Sequence, residues 1–171
     1  DINLAALANP VTPAIGEIWV ATQFETTSGK SKPGTVSAIS GSSWQVTRKV
    51  ALPSIKMNNP NNMWTDKDQS VIYVTQWFDK KLTVYDRQTG ALIRNVSVGE
   101  APAHVMTLTD SDRIHITNNG DTRRDSVMEL TPFATQILRR VDIGRGNPHA
   151  HWMSHDGKAM VTPNVITGDT T

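Results

Sequence analysis

Pro60-Asn61-Asn62-Met63-Trp64, Pro102-Ala103-His104-Val105-Met106 and Pro148-His149-Ala150-His151-Trp152 superimpose without a gap, and their prolines stand 42 and 46 residues apart. A period of this length is the mark of a fold assembled from one repeated supersecondary unit. The register holds downstream of each anchor. Sixteen residues past the prolines stand Gln76, Asn118 and Asn164, and each follows an apolar, β-branched stretch, 71–75, 113–117 and 159–163. A hairpin turn separates anchor from stretch. It is clearest in Ser154-His155-Asp156-Gly157-Lys158, where Asp-Gly supplies the positive φ that a tight turn demands.

Two further strands are expected in each copy. Residues 82–86 lead through Gln88-Thr89-Gly90 into 91–98, residues 127–130 precede 136–143, and an earlier pair spans 35–39 and 44–50. The last strand of each copy carries Arg-x-Val, beginning at Arg48, Arg94 and Arg139. Short alternating stretches rich in β-branched residues predict an all-β chain. No segment sustains a capped helical period, and residues 4–8 amount to one short helical turn. Four-stranded antiparallel units repeated at this spacing predict a β-propeller, in which each sheet packs both faces on its neighbours. The competing architecture is a single β-sandwich. Counting strands gives about half a ring, three blades plus the start of a fourth, over residues 16–171 behind an N-terminal extension at 1–15. A seven-bladed ring needs roughly 300 residues at this spacing. The remainder of the propeller is therefore expected from the same longer chain or from another subunit.

Charge and composition remove several functions. Lys and Arg number 17 against 16 Asp and Glu, a net charge of +1, which builds no broad field for nucleic acid or an acidic membrane. There is no cysteine, hence no disulfide, thiolate nucleophile or Cys-x-x-Cys-His haem site. No apolar run approaches the roughly 18 residues of a transmembrane segment. The chain starts at Asp1 rather than Met, which suggests a removed leader or further residues ahead of it, and the absence of cysteine is compatible with the oxidising compartment expected of a periplasmic or extracellular protein.

The repeat register sorts the five histidines. His115 falls where Tyr73 and Trp19 fall in neighbouring copies, a place for a ring packed between sheets. His155 sits in the Asp-Gly hairpin and should be exposed. His104, His149 and His151 follow the anchor prolines, where the innermost strand of each blade begins. Asn61 and Asn62 occupy the corresponding stretch of the preceding copy. Side chains from successive inner strands converge on a propeller's central channel, so these five polar residues are expected to line it. Imidazole is the commonest ligand of copper and zinc, which makes the three histidines candidate metal ligands. The alternative is that they hydrogen-bond channel water and strand backbone. Strand alternation further predicts that His149 and His151 face the same side.

Ile72-Tyr73-Val74-Thr75-Gln76 and Ile114-His115-Ile116-Thr117-Asn118 resemble the signature of the YVTN propeller repeat, and Ser154 to Lys158 resembles that family's Ser-Pro-Asp-Gly-Lys hairpin. The resemblance spans residues 16 to 164 and implies an extracytoplasmic propeller serving as a metal- or partner-binding platform, part of a larger redox or surface assembly. Within it, Asn147-Pro148-His149 is similar to a segment of nitrous oxide reductases in which the histidine binds copper. That implies copper as a cofactor, with His149 as a ligand and His104 supplied by the adjacent blade, and a copper-dependent oxidoreductase domain as an alternative function. Asn61-Asn62 departs from the adjacent His-His pair of those enzymes. A lactonase-like hydrolase is implied by fold alone. Other chemistries find less support. Gly144-Arg145-Gly146 reads as a loop between blades, Asp66, Asp68, Asp110 and Asp112 as solvated turn carboxylates, and Trp64 and Trp152 as packing residues.

Overall fold

Val71–Gln76 is buried along its whole length, and its side chains part to two different cores. Val71 and Tyr73 join one apolar cluster, while Ile72 and Val74 join another. A strand that packs on both faces belongs to a sheet sandwiched between two others. This arrangement runs through the computed structural model, which describes residues 16–27, 30–50, 59–120, 125–144 and 146–171. The extension at 1–15, including the helical turn at 4–8, lies outside the described residues.

The described chain is a succession of antiparallel sheets in sequence order. The first holds β1 (Glu17–Thr27), β2 (Lys30–Ser40) and β3 (Val46–Val50). The second holds β4 (Pro60–Thr65), β5 (Val71–Gln76), β6 (Lys81–Asp86) and β7 (Leu92–Ser97). The third holds β8 (Pro102–Thr107), β9 (Ile114–Asn118), β10 (Asp125–Leu130) and β11 (Ile137–Gly144). A fourth opens with β12 (Trp152–Met153) and β13 (Met160–Val161). The strand pairing reproduces the sixteen-residue register of the sequence, with Pro60 opposite Gln76, Pro102 opposite Asn118 and Pro148 opposite Asn164. The helical content of the described residues is one 3-10 turn, Pro132–Ala134. The β1–β2 hairpin reaches further than the sequence suggests, since its pairing continues to Thr27 and Lys30.

Sheet faces meet in a fixed pattern. Trp19 of the first sheet and Met63 of the second pack on the cluster that includes Val36, Val50, Ile72 and Tyr85. Tyr73 of the second sheet and Val105 of the third sit in the next cluster with Leu82, Ile114, Ile116 and Leu130. Removing such side chains from water stabilises by about 1.5–3 kcal/mol each. Hydrogen bonds staple the innermost strands as well. Asn61 Nδ2 donates to the Ala103 carbonyl (2.6 Å), the Val105 amide donates to Asn62 Oδ1 (3.0 Å), and Thr107 Oγ1 donates to the Thr65 carbonyl (3.0 Å). The outer strands β7 and β11 are largely exposed.

Candidate functional site

The seam between the third sheet and β12–β13 departs from the other two. At the seam between the second and third sheets, Tyr73, thirteen places past its anchor, and Val105, three places past the next, belong to one apolar cluster. At this seam those places hold His115 and His151, which are 5% and 2% exposed. His115 is the buried strand histidine expected from the sequence, and the place that Val105 holds one repeat earlier is here an imidazole as well. Around the pair the face is polar. Glu129 of β10 is buried opposite His115 in the ladder and accepts from Arg113 Nη1 (3.0 Å) and Arg139 Nε (2.5 Å). His115 Nε2 lies 3.7 Å from the same carboxylate. A cavity of about 340 Å³ separates this face from Met153, Met160 and Thr162 of the fourth sheet.

His104 completes the arrangement from β8. Its Nδ1 stands 3.2 Å from Nδ1 of His151, with one of the two nitrogens donating to the other, and the rings cross at 90°. The contact has a counterpart one sheet earlier, since Asn62 and Val105 occupy the repeat places of His104 and His151. Nε2 of His151 and Nδ1 of His115 are buried and find no hydrogen-bond partner among the described residues.

Burial keeps these imidazoles neutral. His151 is pushed down to about 3, first by desolvation and then by the positive charge that His104 and His115 would carry. His104 is lowered by burial and by His149. His115 is lowered by burial, with the Glu129 carboxylate opposing the shift and Arg139 and Arg113 adding to it. Glu129 stays below the usual carboxylate range. Its own burial works against ionisation, but the hydrogen bond from Arg113 and the charge of Arg139 outweigh that.

His149 does not share the face of His151, contrary to the expectation from strand alternation. It is exposed, and its ring lies 5.8 Å from that of Trp77. Regular strand begins only at Trp152, and the same stretch after Pro60 and after Pro102 carries a register shift. An extra residue at such a bulge breaks the period of two. The backbone of His149 is nonetheless anchored beside the pair, because its carbonyl accepts from Thr117 Oγ1 (2.8 Å) and Thr117 stands opposite His104. Asn61 and Asn62 are half-buried with their amides engaged in the inter-sheet staples. His155 is exposed, as expected for the turn. Asp66 is buried rather than solvated, and Trp152 is exposed rather than packed away.

Among the described residues no group of three His, Asp or Glu side chains is disposed to hold a metal ion. The spacing of the His104–His151 pair does fit one. Two imidazole nitrogens bound to a single tetrahedral ion at 2.0–2.1 Å stand about 3.3 Å apart. The sequence signal for this pair was present but divided. His151 and His115 are found by asking which repeat places turn from apolar to imidazole, and His104 by its offset of one place from His151.

No family model and no curated protein matches the chain. Solved structures do. Hydrazine synthase of Kuenenia stuttgartiensis superimposes over 75% of this chain and 35% of its own, with a TM-score of 0.67 and 20% identity. A streptogramin B lyase matches over 80% of this chain and 46% of its own (TM-score 0.63, 15% identity). The dihydro-heme d1 dehydrogenase NirN matches over 80% and 31% (TM-score 0.61, 12% identity). The chain thus spans less than half the length of each of these proteins. Among the described residues no helix is long and apolar enough to cross a membrane. The successive four-stranded sheets and the propeller proteins they superimpose on establish that this chain folds as part of a β-propeller.

Proposed function

We propose that the chain belongs to an extracytoplasmic propeller of the YVTN-repeat kind, which holds a transition-metal ion, copper foremost, at the seam of its third and fourth blades. The observation that carries this reading is the 3.2 Å separation of the His104 and His151 Nδ1 atoms, a chelating distance between two imidazoles that burial keeps neutral. Neutral imidazole is the ligand form, and the hydrogen that one Nδ1 donates to the other would shift to a ring Nε2 when both nitrogens bind. His104 and His151 would hold the ion as two imidazole ligands, leaving its remaining positions to water or to groups from outside the described residues. Copper is favoured by the Asn147-Pro148-His149 segment. When bound, such an ion supplies a Lewis-acidic or electron-transferring centre.

The platform role rests on the exposed apolar surface of the fourth sheet and the turn beyond it, where Val161, Val165 and Ile166 are each at least half exposed. Uncovered faces of this kind mark contact surfaces, and further blades, from the same longer chain or another subunit, are the partner that a propeller edge fits.

Copper titration of the full chain tests the metal reading. Saturation at one ion per chain is expected, with affinity lowered at least about tenfold by His104→Ala or His151→Ala. His155→Ala should leave it unchanged. Equal losses in all three variants, or no uptake by the complete protein, would remove the metal and leave a propeller scaffold.

A further inference from the structure

Trp64, Met106 and Trp152 hold one place in three successive repeats, four residues past the anchor proline. The sequence reads them as packing residues, yet Trp152 is 63% exposed. Its ring meets that of Trp64 edge-on, with centroids 6.2 Å apart and planes at 86°. With Met106, the two indoles line an open cleft of about 820 Å³ at the hairpin ends of the inner strands, away from the anchor prolines.

The hairpins give this cleft a charge. Asp66, Asp110 and Asp156 line it, against Lys67 and the exposed imidazole of His155. Asp110 and Asp156 are themselves repeat equivalents, eight residues past Pro102 and Pro148. Two of the carboxylates are held ionised. Asp66 is buried, which opposes its charge, but hydrogen bonds from Ser70 and Val71 more than offset this. Asp156 is lowered by Ser154 Oγ and by the Lys158 amide, and Lys158 Nζ is 3.8 Å from it. Asp112, next to the cleft, accepts from the Lys67 amide (2.7 Å). The repeat thus sets aromatic and thioether side chains beneath a rim of net negative charge.

We propose that this cleft binds an organic cation of the quaternary or alkylated ammonium class, its alkyl shell against Trp64 and Trp152 and its charge facing Asp110 and Asp156. Indole rings attract such ions through their negative faces, and a methylated ammonium is cheap to desolvate. An anion would meet the carboxylate rim, a bare metal ion would make no use of the rings, and a neutral apolar molecule would make no use of the charge.

Choline and its neutral isostere 3,3-dimethylbutan-1-ol are the probes, titrated into the ¹⁵N-labelled full chain while the five indole N–H resonances are followed. Saturable shifts of the Trp64 and Trp152 signals are expected with choline, at an affinity at least about tenfold above that of the isostere. Asp110→Asn, on an exposed turn, should weaken choline binding several-fold and leave the isostere unaffected. Lys67→Gln should strengthen it by removing the competing cation. Trp152→Ala should abolish the response, and Trp152→Phe, which keeps a ring, should restore part of it. Equal affinity for the two probes, insensitivity to Asp110→Asn, or no saturable shift at tens of millimolar would each overturn the proposal. None of these outcomes bears on the histidine pair.

Discussion

Nδ1 of His104 lies 3.2 Å from Nδ1 of His151, joining the inner strand of one blade to that of the next. One blade earlier the same repeat places hold Asn62 and Val105, and there the side-chain oxygen of Asn62 accepts the Val105 amide. An asparagine at this place is therefore compatible with the fold. His104→Asn is expected to preserve the thermal transition of the chelator-treated chain within a few degrees while lowering copper affinity at least about tenfold. Loss of folding in that variant, seen by circular dichroism, would show that the pair is needed for structure first.

Acid should loosen the third seam before the others. His151 is held at about 3, whereas an imidazole in the unfolded chain titrates near 6.5. Between those values the unfolded chain binds a proton that the folded chain refuses. Stability consequently falls as pH drops below about 6.5, by about 1.4 kcal/mol per pH unit for each such proton. His104 and His115 shift in the same direction. His151→Met, which installs the residue found at Met63, should flatten this slope and raise stability. Urea unfolding with chelator at pH 7.5 and at pH 5 provides the measurement, and an unchanged slope would count against the buried neutral imidazole.

The first hairpin of the second blade depends on Asp66. Its carboxylate accepts from the Ser70 amide (2.7 Å), the Val71 amide (3.0 Å) and Ser70 Oγ (2.5 Å). Asp66→Ala removes the acceptor and leaves the buried Val71 amide unpaired, at a cost of about 1–3 kcal/mol in equilibrium unfolding. Asp68→Ala, on the same turn but exposed, should change stability by less than about 0.5 kcal/mol.

Gly99 is required by its neighbour. A β-carbon there would stand 2.7 Å from Cγ of Asn118, which is fully buried and cannot withdraw. Gly99→Ala should destabilise by about 1–3 kcal/mol, and Asn118→Ser should recover part of that loss in the double variant, as chemical denaturation of the single and double variants would show. Gly146 meets Asn164 in the same manner at 2.5 Å, so its alanine variant should behave alike.

The repeat was legible in the chain because a blade is a local unit. Pro60, Pro102 and Pro148 recur at one spacing, their hairpins close within a few residues, and each proline finds its partner sixteen residues on. Strand alternation then distinguishes the face of Tyr73 from that of Ile72 without long-range information. What lies between blades was only partly visible. The place of His115 could be read from Tyr73 and Trp19, since equivalent residues face equivalent neighbours. His149 and His151 could not be placed, because the bulge after the anchor proline adds a residue and alternation no longer predicts direction. Their parting, one to Trp77 and one to His104, was decided by tertiary packing. Asp66 and Trp152 make the same point from opposite sides. A turn carboxylate became buried and an inner-strand indole became exposed, because burial depends on how neighbouring blades seat and not on residue type. The sequence alone determined the all-β repeat, its register and its blade boundaries, which rest on local hydrogen bonding and period. Only the tertiary structure decided which imidazoles meet, because the contact joins side chains 47 residues apart across a seam whose geometry no single repeat contains.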